Sequence, residues 1–428
     1  MCNFEPTLEF ARDLDKKDVL ASFRNRFIIP ENTIYMDGNS LGLMPEDSEA
    51  SIKRVLNEWK NLAIRGWLEA NPPWFYLPEK IGAMCAPLVG GEPEELIVTG
   101  STTVNIYSVL SSFYKPQGKK KKILADKITF PSDIYAIKSF LKLKGMDENT
   151  DLVFVDSEDG KTLSEEKICE MMTDEIAIVF LPSVLYRSGQ LLDIPYLTKK
   201  AHEKNIPIGF DCCHSAGVVP HKFSENGVDF AVWCSYKYLN AGPGASAFIY
   251  INKKHFDKTP GMTGWFGYNK EKQFEMSYEF EHEKSAGGWQ ISTPALLSTA
   301  PVEGSLKIFE EAGIERIREK SKMLTSYLVY LINIFNNQQY GYNIGTPIDP
   351  EKRSGHIAIE HKTEAWRICE ALKNKNIIPD FRMPDIVRIA PVALYNTFEE
   401  VWIVARELKK IIDNKEYLKY SENIKSVS

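Results

Sequence analysis

The sequence predicts an α/β protein: a large domain with a mostly parallel sheet sandwiched by helices, followed by a smaller α+β domain at the C-terminal side. Three observations carry this. Between about 46 and 300, short and continuously apolar runs alternate with helix-length stretches, the pattern of strands buried on both faces. After Pro301 the period changes: Ile317, Leu324, Leu328 and Leu331 recur at helical spacing, which predicts an amphipathic helix running to about Phe335. Finally, 428 residues suit two to three domains at about 150 residues each.

Taken in order, residues 1–45 read as an arm that packs with the small domain. It holds a helix over 8–23, then Ile34-Tyr35-Met36 and a glycine-rich turn. Residues 46–300 form the large domain. Its strands are predicted at 95–98, 152–155, 176–181, 206–210, 228–233 and 247–251, with helices over 103–113 and 196–204. Phe130-Pro131-Ser132-Asp133 starts a further helix, because proline suits a first helical turn. Residues 301–428 form the small domain, with strands at 357–359 and 386–389 and helices over 364–374 and 398–412. The charge run 119–122, all lysine, reads as a solvated loop between a helix and a strand.

Composition excludes several classes. The apolar fraction is 43%, and 52 basic against 58 acidic residues leave a net charge of −6. A disordered chain would be less apolar or more charged, and a nucleic-acid surface would be basic. No stretch is apolar enough to span a membrane. The first dozen residues include acids and lack an apolar core, unlike a secretory leader. Seven cysteines without a Cys-x-x-Cys pair argue against a disulfide framework and against a metal site. A reducing cytoplasm is the expected location. Adjacent Cys212 and Cys213 read as small buried hydrophobes rather than nucleophiles.

The chemistry concentrates in Asp211-Cys212-Cys213-His214-Ser215-Ala216-Gly217 and Ser235-Tyr236-Lys237-Tyr238. Asp211 ends one predicted strand and Lys237 follows the next, so both reach the sheet edge where ligands bind. A pyridoxal-phosphate site needs this pair. The amine condenses with the cofactor aldehyde, and the carboxylate keeps the pyridine nitrogen protonated. His214 is placed to stack on the ring or bond its phenolic side. A buried ion pair closing a loop is the alternative role for the same two residues. Gly242 and Gly244 nearby favour the ligand reading, since they let backbone approach closely.

Thr99-Gly100-Ser101-Thr102-Thr103 follows a strand and opens a helix. Its N–H groups and hydroxyls suit a phosphate, although simple N-capping uses the same residues. Arg388, in Ile386-Val387-Arg388-Ile389, alternates with apolar residues. Its fork suits bidentate grip of a carboxylate, with a surface ion pair as the alternative.

These segments resemble the kynureninase family, pyridoxal-phosphate enzymes of fold type I. The likeness runs through Tyr35-Met36-Asp37-Gly38-Asn39-Ser40-Leu41-Gly42-Leu43, Phe130 to Asp133, Asp211 to Gly217, Ser235 to Asn240, Gly264-Trp265-Phe266-Gly267, and Arg388-Ile389-Ala390-Pro391-Val392 with Leu394-Tyr395-Asn396. The resemblance implies that Lys237 carries pyridoxal 5'-phosphate, Asp211 holds its nitrogen and His214 sits beside it. It implies that Thr102, Thr103, Ser132, Asp133 and Tyr236 line the cofactor and that Phe130 stacks on it. Trp265 and Thr293 would reach the phosphate from a partner subunit, hence a homodimer with shared active sites. Arg388 would take the substrate carboxylate, with Ser40 and Trp67 also binding substrate. Trp74, Phe75 and Tyr76 are further candidates for an aromatic slot. Tyr236 would act as a proton donor.

Two departures stand out: Pro182, where some relatives carry a hydroxyl residue, and Thr293, where vertebrate-type enzymes carry Asn. Thr293, and the more bacterial character of the segment with Trp67 and Trp74, point toward kynurenine over 3-hydroxykynurenine. The implied activity is hydrolytic Cβ–Cγ cleavage of L-kynurenine to anthranilate and L-alanine, in tryptophan degradation or NAD biosynthesis. Cysteine desulfurase or aminotransferase activity is the alternative within the same fold. No nucleic-acid or membrane partner is expected.

Overall fold

The apolar runs become strands of one seven-stranded sheet. The computed structural model describes residues 4–336 and 340–424; Met1, Cys2 and Asn3, part of the leader reading, lie outside them. Helix α1 (Leu8–Lys16) opens the chain, shorter than the 8–23 expected. Beyond it Asp18 accepts the Leu20 N–H at 2.9 Å. Such local side-chain bonds compete with the helix, and a 3₁₀ segment, Ala21–Arg26, follows instead.

Helices α2 (Glu46–Leu62) and α3 (Leu77–Val89) precede strand β1 (Leu96–Val98). Next come α4 (Thr102–Phe113), β2 (Lys122–Asp126), α5 (Pro131–Leu143) and β3 (Leu152–Val155). Helix α6 (Glu165–Met171), β4 (Ile176–Pro182), α7 (Ile194–Glu203), β5 (Ile208–Asp211), β6 (Phe230–Trp233) and β7 (Phe248–Ile251) complete this region. Strand β2 was not anticipated: its opening lysine masks Ile123-Leu124-Ala125, and Lys122 belongs to it rather than to the loop.

The sheet order is β1-β7-β6-β5-β4-β2-β3. Strand β7 runs antiparallel to both neighbours and the other pairings are parallel. Successive side chains enter opposite cores: Leu96 and Val98 join one, Ile97 the other. Gly209 permits the close β5–β6 contact, because a Cβ there would strike the Phe230 ring.

Helix α8 (Leu296–Ala312) runs through residue 300, where a domain break was expected. Its Val302, Leu306 and Phe309 are buried in the large core. Helix α9 (Ile314–Phe335) then leads to a second sheet: β8 (Tyr342–Ile344), β9 (Ile357–His361), β10 (Asp380–Arg382) and β11 (Ile386–Ile389). Its order is β8-β9-β11-β10, all antiparallel. Helices α10 (Ala365–Lys373) and α11 (Phe398–Asp413) cover it. Residues Ile34–Tyr35 pair with Ile377–Ile378, while Leu20, Phe27 and Leu43 enter the large core. The arm therefore ties both cores together.

Candidate active site

Parallel pairing places Asp211 of β5 opposite Val232 of β6. Both strands end at the same sheet edge, so Lys237, just past β6, faces Asp211 across one cleft. This cleft holds about 550 Å³ of empty space and is walled by the starts of α4 and α5. Thr102 and Thr103 line it from α4, and Phe130, Ser132 and Asp133 from α5. The Thr103 and Ser132 hydroxyls lie 3.1 Å apart, joining the two helix starts. Ser101 makes no side-chain cap at α4, which leaves the N–H groups of its first turn free for an anion. Asp211, His214 and Tyr236 complete the lining.

Lys237 Nζ lies 3.0 Å from His214 Nε2 and 5.9 Å from the Phe130 ring centre. Burial pushes the His214 pKa well down, helped by the Lys237 and Arg388 charges. The neutral imidazole thus accepts from the amine. Burial opposes the Lys237 charge, but neighbouring Cys234, Cys213 and Asp211 outweigh it and raise the pKa. Burial and Asp211 push the Asp133 carboxyl well up, and the two share a hydrogen bond. Asp133 is therefore held toward its protonated form. Burial likewise raises the Tyr236 phenol, followed by Cys234 and Cys213. It remains a protonated donor at neutral pH.

Asp126 ends β2, and its charge adds to the upward push on Asp133. Burial pushes the Asp126 carboxyl up to about 6, against N–H bonds from Ile128 and Thr129. The unfolded value is about 3.9. This group's stabilisation is therefore complete below about pH 4 and lost as pH rises through about 6. Asp126→Asn is expected to gain about 2–3 kcal/mol relative to the unmutated protein between pH 4 and pH 8. Urea unfolding at both pH values checks this; a constant difference would contradict it.

The small sheet supplies a second cluster at the arm. Arg388 is 1% exposed, so the surface ion pair considered from the sequence is overturned. Antiparallel register sets Asp380 opposite it. Arg388 Nε donates to Asp380 Oδ2 at 2.6 Å, and Nη2 reaches the same oxygen. Nη2 also donates to Ser40 Oγ at 3.0 Å, and Nη1 to the Tyr186 carbonyl at 2.7 Å. The bidentate fork expected for a substrate is thus spent on Asp380. The Gly-Asn-Ser-Leu-Gly segment explains itself here: Gly42 N–H donates to the Tyr236 carbonyl at 2.8 Å. A Cβ on Gly42 would collide with the Lys237 carbonyl and Asn240.

Other expected residues lie apart from this cleft. Trp67 packs edge-on to Trp74 at 5.8 Å and against Phe266 at 5.8 Å. Phe75 and Trp265 also contact Phe266, and Tyr76 contacts Phe75. The aromatic candidates thus gather in one cluster centred on Phe266. Trp265 is 46% exposed and Thr293 is exposed. Pro182 lines the cleft, but Ser183 does not stand in for a hydroxyl there. Its Oγ donates to the Asp211 carbonyl at 3.0 Å and meets Ser215 Oγ at 2.8 Å.

Sequence reasoning missed Tyr186, whose ring meets Phe130 edge-on at 5.4 Å, and also Asp380 and Arg382. The alternation Asp380-Phe381-Arg382 ahead of β11 was the available signal for the last two. Cys212, Cys213 and Cys234 are buried, as small core residues are. Among the described residues no helix is long and apolar enough to cross a membrane, and no cluster of three His, Cys, Asp or Glu suits a metal ion.

Solved structures share this architecture at low identity. A cysteine desulfurase from Thermococcus onnurineus NA1 superposes with a TM-score of 0.77 at 16% identity, covering 92% of this chain and 98% of its own. A variant of C-DES with glycine covalently linked to its PLP cofactor gives 0.76 at 17% identity, over 90% and 98%. These show the fold alone. Residues 317–408 match the model for the kynureninase C-terminal domain. A protein named kynureninase from Geobacillus thermodenitrificans is 56% identical over 417 residues, 97% of each chain. One of the same name from Bacillus anthracis is 55% identical over 424 residues, covering 99% of this chain and 98% of its own. With more than half of its residues shared along nearly its whole length, the chain belongs to the kynureninase family.

Proposed function

We propose that this chain cleaves the Cβ–Cγ bond of L-kynurenine with water, giving anthranilate and L-alanine, with pyridoxal 5'-phosphate in the Asp211/Lys237 cleft. The carrying observation is the convergence of that amine and that carboxylate from neighbouring strand ends, in a chain of this family. The residues fit the cofactor. Lys237 offers an amine, Asp211 a carboxylate for a ring nitrogen, and Phe130 a ring face near that amine. Free N–H groups and the hydroxyls of Thr102, Thr103 and Ser132 suit a phosphate. His214 Nδ1 is buried and has no partner in the structure.

When bound, the cofactor supplies an aldehyde that captures the substrate amine and a ring that accepts electrons from its carbons. With the cofactor in place, Lys237 would be the base that takes the Cα proton. His214, neutral and hydrogen-bonded to Nζ, orients it. Asp211 holds the proton on the ring nitrogen, and protonated Asp133 keeps a second charge away. Water adds its oxygen to the γ-carbonyl carbon and the Cβ–Cγ bond breaks, so that anthranilate leaves and the bond's electron pair stays with the three-carbon fragment. Tyr236, held protonated by burial, returns a proton to the three-carbon product.

The aromatic cluster around Phe266 includes Trp67 and Trp265 and none of its members lines the cleft, and Thr293 is exposed. We propose a homodimer in which Trp265 and Thr293 reach the phosphate and Trp67 the substrate in the partner's cleft; the exposure of Trp265 and Thr293 supports this reading. We assign the chain to the cytoplasm. We divide it into an arm at 1–45, a large cofactor domain and a small C-terminal domain.

The test is anthranilate fluorescence after adding L-kynurenine to cofactor-loaded protein, with 3-hydroxykynurenine in parallel and alanine quantified. Equimolar products are expected, with kynurenine preferred. Sulfide release from cysteine without anthranilate would move the chain to desulfurase chemistry.

A further inference from the structure

We propose that Arg382 binds the α-carboxylate of the amino-acid substrate, so that this carboxylate sits between two guanidinium groups rather than on Arg388 alone. This rests on reading the cleft as the kynurenine site. The argument begins with donors. A guanidinium has five N–H groups. Arg388 spends four of them on Asp380, Ser40 and the Tyr186 carbonyl. One N–H on Nη1 is left, too little for a bidentate grip.

Arg382 differs. It lies two residues beyond Asp380 on β10, hence on the same face of that strand. Its Nε is 3.0 Å from the Asp380 oxygen that Arg388 also uses, and its Nη2 stands 3.5 Å from Ser40 Oγ. Its side chain is 25% exposed, against 1% for Arg388. The Arg382 Nε, although within ion-pair distance, is buried without a hydrogen-bond partner among the described residues. Asp380 therefore answers two cations with one oxygen.

The other nearby acid, Asp37, is itself pushed up to about 7, by burial and by Asp380, and so carries only part of a charge. The cluster is short of negative charge by up to one unit. A substrate carboxylate supplies it. Arg388 Nη1 donates to the carbonyl of Tyr186, and Tyr186 lines the cleft with His214 and Lys237, so the cluster borders the amine-binding side. Ser40 touches both arginines and fixes their spacing.

The experiment uses cofactor-loaded protein and follows cofactor absorbance during titration with L-alanine, the product, and with L-alaninamide, which lacks the carboxylate. In Arg382→Gln, the Kd for L-alanine is expected to rise about 10- to 100-fold, as for loss of a charged hydrogen bond. The Kd for L-alaninamide should stay within about threefold, and KM for L-kynurenine should rise more than kcat falls. Arg382→Lys, which keeps the charge without the fork, should fall between. An unchanged L-alanine Kd in Arg382→Gln would overturn the proposal in favour of Arg388 alone. Equal losses for both ligands would overturn it too, making Arg382 a structural partner of Asp380. Unmutated protein that binds cofactor yet responds to neither amine would instead overturn the reading of the cleft.

Discussion

Lys237→Arg is expected to lower kcat by about 10³-fold or more and to abolish borohydride-reducible attachment of the cofactor. The reason is chemical rather than structural. A guanidinium stays protonated above pH 12, so it neither condenses with an aldehyde nor takes a Cα proton. The arginine retains length, charge and a donor toward His214 Nε2, which now lies 3.0 Å from Nζ. Folding should therefore be little changed, and cofactor should still bind without a covalent link. Mass spectrometry after reduction reads the link, and single-turnover anthranilate release reads the base. Activity within tenfold of the unmutated protein would show that another group carries the chemistry.

The second large effect falls on stability. Arg388→Ala is expected to destabilise the protein by about 3–5 kcal/mol, as when one member of a buried ion pair is removed. Asp380 is fully buried, and it would keep only Arg382 for its charge. The Tyr186 carbonyl would lose its donor as well. Against a total of about 5–15 kcal/mol, this is a large fraction, visible in urea unfolding. The double variant Arg388→Ala/Asp380→Ala should recover part of the loss, because the fully buried carboxylate is gone, and only part, because Arg382 then loses its own partner. Neither variant should recover substrate affinity, which separates the structural role of the pair from its recognition role. A single variant as stable as the unmutated protein would contradict the burial argument.

Much of the large sheet could be read from local pattern. Runs such as Ile176 to Leu181 are apolar at every position, as only a strand covered on both faces requires. The ends of β5 and β6 followed, and with them Asp211 and Lys237. Strand β2 was overlooked because lysines flank Ile123-Leu124-Ala125 and break the apolar signal. The arm helix was drawn too long because Asp18 stops it through a bond to Leu20 that composition does not display. Helix α8 continues through Pro301 with its apolar face in the large core, a continuity that the change of period after residue 300 does not display.

Side-chain periodicity and the order of strands are short-range properties, governed by burial of one face at a time. They suffice for an α/β sheet with a carboxylate and an amine at its ligand edge. The state of Arg388 is of another kind. Whether an arginine flanked by Val387 and Ile389 meets water, a substrate or Asp380 depends on the β10–β11 register, and on an arm residue, Ser40, that is 348 positions away. The same holds for Trp67 and Trp265, which the fold gathers around Phe266 rather than beside Lys237. These outcomes belong to tertiary structure, because charge pairing and ring packing are decided by atoms that only folding brings within a few ångströms.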